Sequence, residues 1–151
     1  MTTFAHGYKK VLLSIKPEFA EKIFNGTKKY EFRKSIFKNK NVDTVVVYAS
    51  SPWQYVIGEF KIETILSGNV DRIWEQTREL SGISEEFYRM YFAHKTNAYA
   101  IKIGNVTRFK RNKHLSDYNV NFAPQSYVYL WMLIIAKSNK YIYWPNFSKP
   151  E

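Results

Sequence analysis

Asn25-Gly26-Thr27-Lys28-Lys29-Tyr30-Glu31-Phe32-Arg33-Lys34 decides how this 151-residue chain is to be read. Asn-Gly is a helix stop, because glycine enters the left-handed region that closes a helix without a Cβ penalty. Upstream, Phe19, Ala20, Ile23 and Phe24 form one apolar stripe of a short helix that starts at Pro17-Glu18, proline being suited to a first helical position. Downstream, Lys29, Glu31 and Arg33 alternate with Tyr30 and Phe32, which is the period of a half-buried strand. The stretch therefore joins a helix to a strand and puts Glu31 and Arg33 on one face, with Lys28 at the strand mouth. It holds four lysines or arginines and one acid. A lone carboxylate among cations fixes their orientation through charge-assisted hydrogen bonds, and the bland alternative is an ion pair that braces the turn.

Outward from this stretch, Val11 to Ile15 reads as a strand feeding the helix. Asp43 to Ala49 (DTVVVYA) and Tyr55 to Leu66 (YVIGEFKIETIL) are two β-rich runs that pair around the Ser50-Ser51-Pro52-Trp53-Gln54 loop. Gly58 inside the second predicts a bulge or sharp bend. Between Asn69 and Leu80 the apolar positions Val70, Ile73, Trp74 and Leu80 suit a helix, and a second helix starts at Ser84 with Ile83 and Tyr88 as a staple and Phe87, Met90 and Tyr91 turned inward. Ala98 to Ile103 and Val106 to Phe109 read as strands joined by a Gly104-Asn105 turn. Residues 110 to 126 read as irregular, and Tyr127 to Ile135 as a further strand. Strands on both sides of a helical insertion predict an α+β fold with a curled sheet. The length suits a single domain over residues 1–151.

The net charge of +10 is unevenly placed. Residues 9–40 hold ten lysines or arginines against three glutamates, residues 41–101 five against eight acids, and residues 102–114 five against none. Two basic segments of this kind neutralise phosphates and release counterions, so nucleic acid is the first partner to consider. A solvated face is the plainer reading of such runs. The chain has no cysteine, which removes disulfides, thiolate zinc sites and cysteine nucleophiles. His6, His94 and His114 lack ligand spacing, and neither a metal nor another cofactor is expected. The N-terminus has no signal-peptide core, and the longest apolar run, Tyr127 to Ala136, is about half the ~20 residues of a membrane helix. A cytoplasmic protein without a membrane partner is expected.

Gly26-Thr-Lys28-Lys-Tyr-Glu31-Phe-Arg33 fits the G-x-K-x-x-E-x-R pattern of the ASCH domain, which belongs to the PUA-like superfamily. Leu13-Ser-Ile-Lys-Pro17, Tyr48-Ala-Ser-Ser-Pro52, Ile57-Gly58 and Ala123-Pro-Gln-Ser-Tyr127 agree with it in order. The resemblance covers about residues 10–130, and residues 132–151, with Tyr141, Tyr143, Trp144 and Phe147, lie beyond it as an extra strand or covering patch. It implies a PUA-like small β-barrel with flanking helices and a ligand cleft lined by the motif. It further implies RNA, a nucleotide or a modified nucleoside as ligand.

On that resemblance the cleft is expected to use Lys16, Lys28, Glu31, Arg33, Ser50, Ser51, Trp53, Gln125, Ser126 and Tyr127. Some small relatives are amidohydrolases of acetylcytidine with a catalytic lysine, threonine and glutamate. Lys28 fits the lysine, Glu31 stands where the threonine belongs, and Glu79 is the match for the glutamate. The missing threonine argues against that particular reaction, while Lys28 with two carboxylates suits another hydrolysis. Ribonuclease activity is also attributed to relatives, and a lysine-glutamate pair can act as acid and base on a phosphodiester. Lys29 beside Lys28 is expected to lower its pKa by like charge. The reading favoured is a binding domain for RNA or a nucleotide; hydrolysis is second, and a protein-interaction module in transcription or translation control third. Arg108-Phe-Lys-Arg-Asn-Lys-His114 interleaves aromatic and basic residues as a backbone-tracking groove does, and a solvated β-hairpin is the plainer reading of the same run.

Overall fold

The first strand reaches the helix start through Lys16, whose carbonyl takes the N–H groups of Phe19 and Ala20 at 3.0 and 2.9 Å. The computed structural model describes residues 4–135 and 140–143. Strand β1 spans Phe4–Ile15, helix α1 Pro17–Phe24 with proline in its first turn, and β2 Tyr30–Arg33. Gly26 takes φ +86° just past the helix end, as the Asn-Gly pair predicts. Asn25 completes the turn, its Oδ1 accepting the Thr27 N–H at 3.0 Å.

β3 (Thr44–Ala49) and β4 (Tyr55–Asn69) form the expected antiparallel pair. The register slips between Val56 and Gly58. A Cβ on Gly58 would lie 2.4 Å from the Thr107 carbonyl and 2.7 Å from the Phe24 ring, so the close approach of two strands and α1 demands glycine there. α2 (Val70–Thr77), a 3₁₀ turn (Arg78–Leu80) and α3 (Glu85–Tyr91) make the insertion. Ser84 caps α3 as expected, accepting the Phe87 N–H at 3.0 Å. β5 (Asn97–Lys113), a second 3₁₀ turn (Leu115–Tyr118), β6 (Tyr127–Ile135) and β7 (Lys140–Tyr143) complete the order.

The strands form one sheet in the order β2-β5-β4-β3-β1-β6-β7, with only β1 and β3 parallel. No ladder joins β2 to β7 among the described residues, so the barrel expected from the resemblance is a sheet open at its edges. It curls nonetheless. Arg33, on the β2 edge, donates to the Ser126 carbonyl at 2.7 Å, and the N–H groups of Lys38 and Asn39 reach the Tyr129 hydroxyl at 3.0 Å.

β3 is buried on both faces, which is why its sequence is a continuous apolar run. Val45, Val47 and Ala49 join Leu13, Ile15, Ala20, Ile23 and Ile57 under α1, while Val46 and Tyr48 face Leu12, Val56, Tyr118 and Leu130 on the other side. The insertion has its own core, where Tyr88 and Phe92 pack on Tyr30, Phe32, Ile73 and Trp74.

Four expectations need correction. Gly104-Asn105 makes no turn: β5 continues through it with a bulge, Gly104 and Asn105 standing opposite Lys61 alone, and Gly104 lets the Lys61 carbonyl approach to 3.0 Å of its Cβ position. Part of the stretch read as irregular belongs to that strand, up to Lys113. Met90 is exposed at 72%, because α3 turns Tyr88 and Tyr91 to the core and leaves Met90 on the opposite side, and the helix expected to reach Leu80 ends at Thr77, with Leu80 51% exposed on the 3₁₀ turn. β2 is covered on both faces rather than half-buried, since its polar face meets the site described next. Tyr141 and Tyr143 lie in β7, paired with β6, whereas Trp144 and Phe147 fall outside the described residues.

Candidate functional site

A cleft of about 240 Å³ opens where the N-terminus of α1, the start of β2 and the face of α3 meet. This is below the ~300–1,000 Å³ of pockets for drug-sized ligands, so it suits one flat ring rather than a folded segment. Phe19, Phe87 and Tyr91 form an aromatic wall; Phe19 and Phe87 meet edge to face at 5.1 Å between centroids, and Phe87 stacks on Tyr91 at 6.5 Å. Lys28, Glu31 and Arg33 form the polar side, with Lys16 and Gln125 at the rim.

Lys28 is 2% exposed. Its backbone is pinned from two directions, its N–H bonding the Lys22 carbonyl at 3.0 Å and the following N–H the Leu80 carbonyl at 2.8 Å. Its Nζ donates to the Ser81 carbonyl at 2.8 Å and lies 4.9 Å from the centre of the Phe32 ring. Gly82 sits against the Lys28 stem at φ +69°, where a Cβ would come within 2.5 Å of the lysine's own. Burial lowers the amine's pKa to about 8; the Glu31 carboxylate opposes this and Lys22 adds to it. The lowered pKa was expected, but its cause is desolvation and the like charge is Lys22 across the turn, where Lys29 was expected.

Glu31 is 7% exposed, and its Oε1 lies 3.6 Å from Arg33 Nη1. The second Arg33 nitrogen holds the Ser126 carbonyl. Glu31 thus faces Arg33 and Lys28 at once, combining the bracing role with a place in the cleft. A cationic, hydrogen-bonding side opposite an aromatic wall can hold a planar ring by stacking and a phosphate by charge.

Of the residues expected in the cleft, Lys16, Lys28, Glu31, Arg33 and Gln125 line it. Lys16 Nζ stands 5.3 Å over the Phe87 ring. Ser126 contributes its carbonyl, and its hydroxyl is 3.4 Å from that of Ser35. Tyr127 turns into the core, edge to face with Phe37 at 5.9 Å. Ser50 and Ser51 do not line the cleft: the Ser50 carbonyl closes its own turn on the Trp53 N–H at 3.1 Å, and Ser51 points to solvent. Trp53 packs against the main core. Glu79 is exposed on the 3₁₀ turn and outside the lining, because that turn offers its carbonyls, not its side chains, to Lys28 and Lys29. The structure adds Ser14, Phe19, Ile83, Phe87 and Tyr91. The spacing of the four apolar ones reads as core stripe, and nothing in the sequence marks which aromatic rings are left facing an opening. Among the described residues no group of three or more His, Asp or Glu is placed to hold a metal, and no helix is long and apolar enough to cross a membrane.

The sequence pattern of the ASCH domain matches residues 13–107. The ASCH domain-containing ribonuclease of Zymomonas mobilis is 32% identical over 118 residues, which are 77% of this chain and 80% of that protein. The crystal structure of ASCH from Zymomonas mobilis superposes with a TM-score of 0.74 at 30% identity, covering 81% of this chain and 87% of that one. The large ribosomal subunit protein uL22 of Ureaplasma parvum is 32% identical over 121 residues; these are 80% of this chain, which spans only 39% of that relative's length.

Proposed function

Because the chain belongs to the ASCH domain family, we propose that its cleft binds RNA, taking one nucleotide of a single strand between the aromatic wall and the Lys28-Glu31-Arg33 side. The observation that carries this reading is the pairing, in one small opening, of an aromatic surface with three cations. Stacking on Phe87 and Tyr91 is tolerant of base identity, while the cations supply the attraction for phosphate. The ribonuclease among the relatives supports RNA as the ligand class. Binding of nucleoside monophosphates, followed by calorimetry, tests it: Arg33→Met and Phe87→Ala each weaken the wild-type affinity at least about tenfold under this reading, and unchanged affinity in both overturns it.

Lys28 favours a second reading, in which the bound strand is cleaved. With a pKa of about 8, roughly a tenth of the amine is neutral at pH 7, enough for a general base. The neutral amine takes the proton of a ribose 2′-hydroxyl as its oxygen attacks phosphorus. The bond to the 5′-oxygen breaks, a solvent proton goes to the leaving oxygen, and a 2′,3′-cyclic phosphate forms, with Arg33 beside the developing negative charge. Lys28→Arg separates the readings, since arginine keeps the charge but cannot act as a base. Under cleavage, end-labelled RNA stays intact with the variant while binding survives. Under binding alone, neither protein releases fragments from RNA or acetate from acetylcytidine.

A further inference from the structure

β5 continues well past its short neighbour β2, which pairs only with Tyr99–Lys102. From Gly104 to Lys113 the strand is partnered on the β4 side, and there the register breaks: Arg108 lies opposite Gly58 and Lys113 opposite Val56. Phe109, Lys110, Arg111 and Asn112 therefore stand opposite the single residue Ile57 and bulge from the sheet.

The bulge is held at both ends by packing. Arg108 donates to the Ile57 carbonyl at 3.0 Å with its guanidinium 5.8 Å from the Phe24 ring, and Lys113 lies 4.5 Å over the ring of Phe109, itself tucked into the core face. Between those anchors Lys110 and Arg111 are exposed and, among the described residues, have no acid partner. The nearest acid in sequence, Asp117, is taken by the His114 N–H at 2.8 Å. Lys61, Arg89 and Lys102 are paired with Asp43, Asp71 and Glu63, whereas the exposed Lys34, Lys38 and Lys95 share with Lys110 and Arg111 the lack of an acid partner among the described residues. What sets Lys110 and Arg111 apart is the anchored bulge, which presents their two charges together from a fixed backbone edge.

A groove of about 350 Å³ between Glu21, Phe24, Asn25, Ile57 and Arg108 joins this edge to the C-terminal end of α1; it holds one carboxylate and one guanidinium, so the positive charge of the path comes from the bulge itself. The cleft lies at the other end of the same helix, whose eight residues span roughly 12 Å. We propose that the β5 bulge is a second phosphate-binding element, which holds the backbone of a single-stranded RNA whose one nucleotide occupies the cleft. This rests on the RNA reading of the cleft and extends it from a nucleotide site to a strand path. Charge complementarity selects the partner: the segment Lys102–His114 has five lysines or arginines and no acid, the composition that releases counterions from phosphates.

The test compares two probes, uridine monophosphate and an oligouridylate of ~12 nucleotides, a length within the ~4–16 nucleotides held by comparable single-strand folds. Lys110→Gln combined with Arg111→Gln removes two contacts, so the log-log salt slope for the oligonucleotide becomes shallower by about 1.4 and its affinity at low salt drops severalfold or more. Affinity for the monophosphate stays as in wild type. An unchanged slope for the oligonucleotide overturns the proposal, as does an equal loss for both probes, which would put the pair within the cleft's own field. Circular dichroism and melting confirm that the variant folds, and Lys110→Glu with Arg111→Glu must deepen the same defect. Should wild-type protein not bind the monophosphate while the pair still shifts the oligonucleotide slope, the cleft reading fails and the strand edge stands.

Discussion

At the scale of single residues, the fold keeps a cost at Lys28 that a merely structural position would not need. Its amine is buried, so the charged form is disfavoured and the folded-state pKa is about 8, against an unfolded value of about 10.4. Between those values the unfolded chain binds more protons than the folded one, and stability rises with pH. Urea melts of the wild type and Lys28→Met at pH 7 to 10 should give a difference that is flat to about 8 and then moves toward the wild type, by up to ~3 kcal/mol at full deprotonation. A difference that stays constant to pH 10 would mean the amine is not desolvated. Nucleotide binding should weaken in the same window as the positive charge is lost, whereas a cleavage rate that uses the neutral amine should climb to about pH 8 and level off. Glu31→Gln sharpens this, because its carboxylate is the influence that holds the Lys28 pKa up. The variant should move the midpoint of the binding profile below 8 and weaken a bound nucleotide about tenfold, since a buried carboxylate orients Arg33 better than an amide does. Binding of heparin should instead strengthen slightly with a negative charge gone. Lys28, Glu31 and Arg33 were legible from the sequence because strand alternation places them within one short stretch. Glu79, Ser50, Ser51 and Trp53 were not, because whether a loop side chain or only its carbonyl reaches a cleft is decided by the path of the backbone through three dimensions.

At the scale of elements, the turn between the two insertion helices decides whether Lys28 can be buried at all. Ser81 supplies the carbonyl that receives the amine, and its hydroxyl is tied to the Arg78 and Ile83 carbonyls at 3.0 and 3.1 Å, so the receiver is fixed. Gly82 supplies the close approach and accepts from Lys22 Nζ at 3.0 Å. Gly82→Ala forces a Cβ into the Lys28 stem at a positive φ, and is expected to cost about 1–3 kcal/mol and to let water reach the amine. Its melting temperature should therefore fall, and the pH midpoint of nucleotide binding should move up from about 8 toward the ordinary lysine range. A lower melting temperature with an unmoved midpoint would make Gly82 a packing residue only. The elements that carry this arrangement were mostly readable: α1 from its proline and Asn-Gly ends, β3 and β4 from β-branched runs, α3 from its serine cap. β5 was misread at Gly104, since glycine signals a turn and a close strand contact alike, and only the neighbouring Lys61 carbonyl distinguishes them. Met90 was misplaced for a related reason: in a helix of seven residues crowded with aromatics, periodicity allows more than one apolar face, and the packing of Tyr88 on Phe32 and Phe92 selects the face that leaves Met90 outside.

At the scale of the whole molecule, the net charge of +10 matters less than its separation from the acids. The acidic segment 41–101 includes the exposed sides of the insertion, where Asp71 and Arg89 pair with each other, while the cleft cations and the β5 bulge belong to the two basic segments. A uniformly charged protein would attract RNA through its general field, and any one lysine would then be nearly equivalent to any other. A strand path from the cleft to the bulge makes the opposite demand. Lys16, Lys28 and Arg33 at the cleft, with Lys110 and Arg111 at the bulge, give about five phosphate contacts and a log-log salt slope near −3.5 at ~0.7 per contact for single strands. Affinity for the ~12-nucleotide probe should then fall about a hundredfold between 50 and 200 mM salt. Lys95, an exposed lysine of the acidic segment, provides the contrast. Lys95→Gln should leave that slope within error of the wild type, whereas Lys16→Gln should reduce it by about 0.7. Equal reductions from both would show that the protein attracts RNA by net charge alone, and would sink the strand path together with the claim that this cleft is where the strand is held.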